Sequence, residues 1–411
     1  MSVKRIFFTR FLLALTFFCG SAGTAYYVSH HYLHRAAAHS VASAVAVTNI
    51  KKDAFTQALA NRLSKVAQYS PPTRQPIIFD NDAASDDVMA LMLIGNDPRV
   101  DIKAITVAGT GEAHGEAGAR NIADVTYLLG KETLPIAYGR STPLSRAGVM
   151  FPESLRAFTD HLLDGMNLSH HPSAHISGDA VGLMYQVLSD SRESVTILAT
   201  GPLTNVAELI KKHPDIKHKI KHIYIMGGAI NVPGNIQGLL PKDPNQVSEW
   251  NFYADPEAVK IVFNARLPIT LVSLDATNQV RMNKNFLHHL SRMDEPELKL
   301  VYKLHKGMVD HFGMQVYENE IYMWDALAAM VMLDPDIAKI KPLALSVSPY
   351  NGSVRRSVVG EQAALIDVVT TIYRPDDVLQ KYIAITQSNN IYAQQKFHNA
   401  VWNRSASLTS K

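Results

Sequence analysis

A single cysteine, Cys19, occurs in 411 residues. Past it the chain has no thiol, which excludes disulfides and thiolate catalysis from the body of the protein and suits an exported one. No dense Lys/Arg stripe is present and the formal net charge is only +3, so nothing marks a groove for nucleic acid. There is no internal repeat. Nor is there a phosphate-cradling glycine loop with a suitably placed lysine near the acidic motif described below, which counts against phosphoryl transfer. Apolar residues, by contrast, make up 47 % of the chain and charged ones 19 %. That composition supports a sizeable packed core, in one large domain or two medium ones.

Residues 1–28 stand apart. "MSVKRIFFTR" supplies Lys4, Arg5 and Arg10, and the following "FLLALTFFCGSAGTAYYV" carries no charge. A basic start, an apolar run and small residues make a secretory signal, with a cut near Ala25. The competing reading is an uncleaved membrane anchor, because the run approaches the roughly 20 residues a span needs. Either way the expected location is outside the cytoplasm: periplasmic, secreted or anchored to the outer side of the membrane. Lipid modification of Cys19 is disfavoured by the bulky Phe17 and Phe18 before it. Residues 29–75 read as a linker, with His30, His31, His34 and His39, followed by a short amphipathic helix that "PPTRQP" breaks. A metal-binding histidine tract is the alternative there. Residues 76–400 are the expected main domain.

From Ile77 on, short apolar runs ("PIIFD", "IKAITVAG", "LPIAYG", "SVTILAT", "IKHIYIMGG", "LPITLVSL") alternate with helical patterns such as "DDVMALMLIG", "GARNIADVTYLLG", "NVAELIKKH" and "DPEAVKIVFNA". Buried strands alternating with helices imply the α/β class: a single Rossmann-like domain with a mostly parallel central sheet flanked by helices. Ligands of such folds bind beyond the C-terminal ends of the strands. Leu343 to Thr371 reads as extra strands joined by the turn-prone "PYNG".

The most unusual stretch is "IIFDNDAASDDVMALMLI", with Asp80, Asp82, Asp86 and Asp87 inside eight residues. The strand "PIIFD" ends at Asp80. Ser85 is a good N-cap, and Asp86 and Asp87 lie in the first helical turn, where the helix dipole favours negative charge. Val88, Leu91 and Met92 follow at helical spacing. Capping and solvation account for two of the four carboxylates, but not readily for Asp82 or for an acid at the end of a buried strand. Like charges this close raise one another's pKa unless a cation neutralises them. An all-oxygen ligand set suits Ca²⁺ or Mg²⁺ rather than zinc.

The pattern D-x-D-x-x-x-D-D after an apolar strand resembles the signature of the nucleoside hydrolases, the inosine-uridine-preferring N-ribohydrolase family. "ITVAGT", "TGPLTN", "IMGGAINVPGN", "EWNFYADPEAVKIVF" and "WDALAAM" resemble further family segments in the right order, over about Pro76 to Asp334. The resemblance implies one Ca²⁺ that holds the ribose hydroxyls and the attacking water. Its implied ligands are Asp82, Asp87, the backbone carbonyl of Thr200 and Asp325, with Asp82 also the general base. Asp86 is implied to accept from a ribose hydroxyl, and Met226, Asn235, Glu249 and Asn251 to contact the sugar. Asp80 is implied to hold the loop from behind. Read on its own, Asp325 is a helix N-cap, and the glycines of "GGA" and "PGN" are ordinary turns.

Trp324 stands where many relatives have His, which resembles the purine-specific branch, in which a Trp stacks on the base. A buried structural Trp is the alternative, and Phe151 is a candidate for the opposite stacking face. Three departures from the family pattern stand out: Ala83-Ala84 in place of Pro-Gly, Thr110 in place of Asn, and a long segment from Ile236 to Trp250. His161, His170, His171 and His175 are expected to face solvent and receive no role. The implied activity is calcium-dependent hydrolysis of ribonucleosides, preferentially purine nucleosides, to free base and ribose, by an exported homo-oligomer acting on small molecules. The alternatives are a non-catalytic nucleoside-binding protein and, against the missing glycine loop, an aspartate-dependent phosphotransferase.

Overall fold

A computed structural model describes residues 74–171, 176–358 and 363–387. The expected leader (1–28), the linker and short helix (29–75, all but its last two residues), His175 and the end of the expected domain past 387 lie outside the described residues.

Ten strands form one sheet among the described residues. They are β1 (Gln75–Asn81), β2 (Val100–Val107), β3 (Ile136–Tyr138), β4 (Ile176–Ser177), β5 (Val195–Ala199), β6 (Ile220–Met226), β7 (Ile269–Val272), β8 (Ala338–Val347), β9 (Val354–Arg356) and β10 (Ala364–Ile372). Their order is β4-β3-β2-β1-β5-β6-β7-β10-β8-β9. Every pairing is parallel except those of β8, which runs against both β10 and β9. The α/β expectation therefore holds, with the six expected strands in place and the late hairpin turning at "PYNG".

The strand runs are apolar on both faces because both faces are covered. Ile77 and Phe79 of β1 point into one core layer and Ile78 into the other, as the period-2 geometry of a strand requires. The chain first builds outward from β1 to β4 and then returns to lay β5 on the other side of β1. Beside β1 the order thus reverses, and a crevice opens between the loops that follow β1 and β5. The fold itself puts the ends of "IIFDND" and "TILATG" side by side.

Six helices bear on that crevice: α1 (Ser85–Asn96), α2 (Gly115–Leu128), α3 (Glu153–Asp160), α4 (Thr204–Lys212), α5 (Trp250–Ala254) and α6 (Asp325–Leu333). In α1 every residue from Asp87 to Ile94 is buried, and in α6 every residue from Asp325 to Met332. A helix apolar all round has to be covered all round, and these two pack against each other. Each carries its acids in its first turn, so packing them together also brings their acidic ends together.

Two local details differ from expectation. Ser85 is the first residue of α1 rather than its cap; Ala84 takes the cap position, and its N–H donates to Asp87 Oδ2 at 2.9 Å. The Asp87 carboxylate reaches back over the first turn and leaves the Ser85 hydroxyl no capping bond to make. Asp325 likewise opens its helix from the first turn, with Trp324 in the cap position.

Candidate active site

Asp80, at the end of β1, is buried, and its Oδ1 accepts from Thr106 Oγ1 on β2 (2.6 Å) and from Asn205 Nδ2 on α4 (2.8 Å). Burial pushes its carboxyl up to about 7 against those two hydrogen bonds, and the Asp87 charge adds to the rise. It ties β1 to β2 and α4 beside the acidic turn.

Asp82 follows in the turn. Its Oδ2 accepts from Glu112 N at 2.8 Å, and its own N–H donates to Asp87 Oδ2 at 3.3 Å. Burial, then the charge of Asp87 and lastly that of Glu112 among the neighbouring carboxylates, raises its carboxyl well above the usual range. The turn is held open by Ala83 at φ 63°, with its N–H on Asn81 Oδ1 (3.0 Å). Proline is locked near φ −65°, so it could not adopt this backbone at position 83, where alanine takes the left-handed conformation.

Asp87 receives Thr200 Oγ1 on its Oδ1 at 2.6 Å. The Thr200 N–H returns to Asp80 O at 2.8 Å. Asp86, Asp87 and Asp325 each offer a carboxylate oxygen, all within 4.8 Å of one another. The Asp86 carboxyl is pushed up to about 7 by burial and then by Asp87. That of Asp325 is raised well above the usual range by burial, followed by Asp86, Asp87 and Asp82. Of the implied metal ligands, the structure thus brings Asp87 and Asp325 together and adds Asp86. Asp82 stands beside the trio rather than within it. The Thr200 carbonyl accepts from Asn251 Nδ2 at 2.7 Å.

Among the described residues, no ion pair neutralises Asp80, Asp82, Asp86, Asp87 or Asp325. Five largely buried carboxylates without a counter-cation are costly, and oxygen-only donors at this spacing fit a hard divalent cation.

The residues implied to contact the sugar are tied to the scaffold by hydrogen bonds. Glu249 caps α5, accepting from Asn251 N (3.0 Å), Gly228 N (2.8 Å) and Phe252 N (3.3 Å). Burial lifts its carboxyl to about 7 against those three donors. Asn251 also faces Met226 O at 3.4 Å, and Asn235 Oδ1 accepts from Trp250 N at 3.0 Å. Trp324 is half-buried at the start of α6, edge-on to Tyr322 at 5.8 Å.

Phe151 is placed differently from the expectation of a base-stacking face. It is buried and stacked on Trp250 at 4.6 Å, in a small core with Ile236, Tyr253 and Ala254. The long Ile236–Trp250 segment tucks both of its ends into this core. The Thr110 hydroxyl bonds Thr204 Oγ1 at 2.8 Å, which in turn donates to Asp255 Oδ2 at 2.8 Å, so it is used inside the scaffold. His161 and His170 are exposed on carboxylates of their own, Asp164 and Asp124.

Glu112, Thr159 and Arg156 were missed in the sequence. Glu112 lies just past the end of β2, where acids near a strand terminus carry a signal, but Arg156 sits on a helix whose approach nothing local announces. Burial raises the Glu112 carboxyl to about 8, and Asp86 is the next largest contributor.

An α/β protein with an oxygen-only acidic centre at the switch point of its sheet is the class that fold and site define. The chain belongs to the inosine-uridine preferring nucleoside hydrolase family, whose model matches residues 77–380. At the level the family shares, it is a ribonucleoside hydrolase, and the family is generally metal-dependent. The pyrimidine-specific ribonucleoside hydrolase RihA of Citrobacter koseri is 34 % identical over 229 residues, 56 % of this chain and 69 % of that protein. The protein of the same description from Klebsiella pneumoniae is 34 % identical over 250 residues, 61 % of this chain and 75 % of its own. Two solved structures share the fold. A plant nucleoside hydrolase superposes with a TM-score of 0.66 at 24 % identity, covering 77 % of this chain and 100 % of its own. A purine-preferring ribonucleoside hydrolase from Gardnerella vaginalis gives 0.61 at 23 %, covering 76 % and 99 %.

Proposed function

We propose that this protein hydrolyses the N-glycosidic bond of ribonucleosides in a calcium-dependent reaction, with preference for purine nucleosides, releasing free base and ribose. The observation that carries the reading is the convergence of Asp86, Asp87 and Asp325, from two helices far apart in sequence, within 4.8 Å beside Asp82. Asp82, Asp87, Asp325 and the Thr200 carbonyl are the proposed ligands, with the Glu112 N–H kept on Asp82 Oδ2. A bound Ca²⁺ would orient two ribose hydroxyls and a water and make that water more acidic.

Asp82 then takes a proton from the water as the water oxygen bonds to the anomeric carbon; the carbon–nitrogen bonding pair leaves on the base, which gains a proton from solvent, and Asp82 returns its proton to solvent. Asp86 accepts a hydrogen bond from a ribose hydroxyl. Glu249, Asn251, Asn235 and Met226 face the sugar, where oxygen and sulfur acceptors stabilise an oxocarbenium-like ribosyl cation. Trp324 supports the purine preference: it adjoins Asp325 and is only half-buried, which leaves ring surface for a leaving base. Stacking there raises the proton affinity of the base. A pyrimidine preference is the second reading, favoured by the described specificity of the bacterial relatives.

Feeding inosine, adenosine, guanosine, uridine and cytidine to the purified protein, with calcium or with chelator, and measuring free ribose tests the proposal. Turnover of pyrimidine nucleosides alone would reverse the base preference, and binding without ribose release would leave a nucleoside-binding protein. Export through residues 1–28, with action on external nucleosides, and assembly into a homo-oligomer belong to the same proposal. The mature N-terminal mass and light scattering test them.

A further inference from the structure

Helix α3 reaches across to the loop that supports Asp82. Arg156 is 2 % exposed, and its guanidinium donates to Gly109 O at 3.0 Å and to Gly111 O. Less than a turn further along, Thr159 Oγ1 donates to Glu112 Oε1 at 3.0 Å. Asp160 Oδ1 then accepts from His114 N at 2.8 Å. The helix is itself secured to α2 by Asn121 Nδ2 on Thr159 O at 3.0 Å. Residues 109–114 are therefore gripped at four points by one short helix.

The same loop carries the N–H that holds Asp82, from Glu112 to Oδ2 at 2.8 Å. It also packs directly on that side chain: a Cβ at Gly111 would stand 2.1 Å from the Cβ of Asp82. Any shift of the loop is thus passed to the carboxylate. A buried guanidinium is costly unless its donors are used, and this one spends them on two backbone carbonyls and, through Nε, on His114 Nε2 at 3.4 Å, with no carboxylate ion pair among the described residues. The planar fork of arginine fixes two acceptors at once, which a lysine ammonium does less rigidly.

We propose that Arg156 is a positioning residue for the hydrolytic reaction: by fixing the Gly109 and Gly111 carbonyls, with Thr159 as its second anchor, it sets the Glu112 N–H and so the orientation of the Asp82 carboxylate. The proposal rests on the reading of Asp82 as the base that takes the water proton. It adds a residue outside the acidic pattern that reaches Asp82 through the backbone of this loop, with its positive charge also felt by the Asp82 carboxylate.

The test compares wild type with Arg156→Met, Arg156→Lys and Thr159→Val in saturating calcium, on whichever nucleoside wild type turns over fastest. Turnover, KM, the calcium midpoint and the melting temperature are read for each. The expected result for Arg156→Met is a kcat about 10- to 100-fold lower, the scale of a small misplacement of a reacting group, with KM and the calcium midpoint nearly unchanged. Arg156→Lys recovers part of the loss, and Thr159→Val shows a smaller loss of the same kind. Should Arg156→Met fail to fold, the other two variants carry the comparison.

An unchanged kcat in a folded Arg156→Met protein, or, where that variant does not fold, in both Arg156→Lys and Thr159→Val, overturns the proposal. So does a loss in which KM and the calcium midpoint worsen in step, or one that Arg156→Lys does not relieve. Wild type that releases no ribose from any nucleoside overturns the reading of Asp82 along with it. An active wild type lost by Asp82→Asn but indifferent to Arg156 overturns this inference alone.

Discussion

The Thr200 hydroxyl donates to Asp87 Oδ1 at 2.6 Å across 113 residues of chain. It joins the end of β5 to the first turn of α1, and with Ala84 N and Asp82 N on the other oxygen it aims the carboxylate from three sides. Groups that orient a metal ligand typically carry about 10- to 100-fold in metal affinity. Thr200→Val is expected to weaken calcium binding on that scale. Calorimetric titration checks this, and an unchanged affinity would show that the hydroxyl does not aim Asp87.

Chelator is expected to abolish ribose release, and added calcium to restore it. Asp82→Asn removes the proton acceptor while keeping the Glu112 N–H satisfied. The expected fall in kcat is about 10²- to 10⁴-fold, the usual worth of a general base, in a protein that melts as a folded one. Steady-state kinetics decide: a variant within a few-fold of wild type rules Asp82 out as the base.

The metal-free protein should lose stability as pH rises. Burial lifts Asp80 and Asp86 to about 7, and Asp82 and Asp325 are also raised, whereas an unfolded carboxylate ionises near about 4. Their contribution is full below the unfolded value and is lost as pH climbs through the folded one. Burial of His305, which it pushes down to about 4, opposes this below about 6.5, the ordinary histidine value. One histidine offsets only one of these several carboxyls, so the decline is expected chiefly between the unfolded carboxylate value of about 4 and the folded values of about 7. Melting curves in chelator between pH 5 and 8 follow it, and calcium should flatten the slope; a rising curve in chelator contradicts the account.

Trp324 and Phe151 should behave differently. Trp324→Ala is expected to slow purine nucleosides much more than pyrimidine ones, with the fold intact, because the ring is only half-buried and adjoins Asp325. Phe151→Ala is expected to cost about 3–5 kcal/mol of stability, as for other buried Phe truncations, because its ring is stacked on Trp250. Denaturant melts and a nucleoside panel separate the two effects. Equal loss across all bases for Trp324→Ala would remove its role in specificity.

Much of the protein was legible before folding. Apolar runs such as "IIF" and "TILA" must lie between two covered faces, and the helical patterns between them leave a parallel sheet as the economical solution. The Asp80–Asp87 spacing is local, so a strand end and a helix start suffice to crowd those carboxylates. Asp325 could be placed only through its resemblance to a family segment, because alone it looks like any acid at a helix start. Ser85 looked like a cap for an equally local reason, and lost that role once Asp87 reached back to Ala84.

By itself, then, the amino-acid order determined the layered architecture, the acidic corner and the family. Those follow from side-chain periodicity and from charges a few residues apart. Only the tertiary structure decided that Asp325 meets Asp86 and Asp87, that Thr200 supports them, that Phe151 packs inward and that Arg156 props the loop behind Asp82. These contacts join residues tens to hundreds of positions apart, and they exist because two helices buried almost throughout and a switched strand order leave the chain nowhere else to put them.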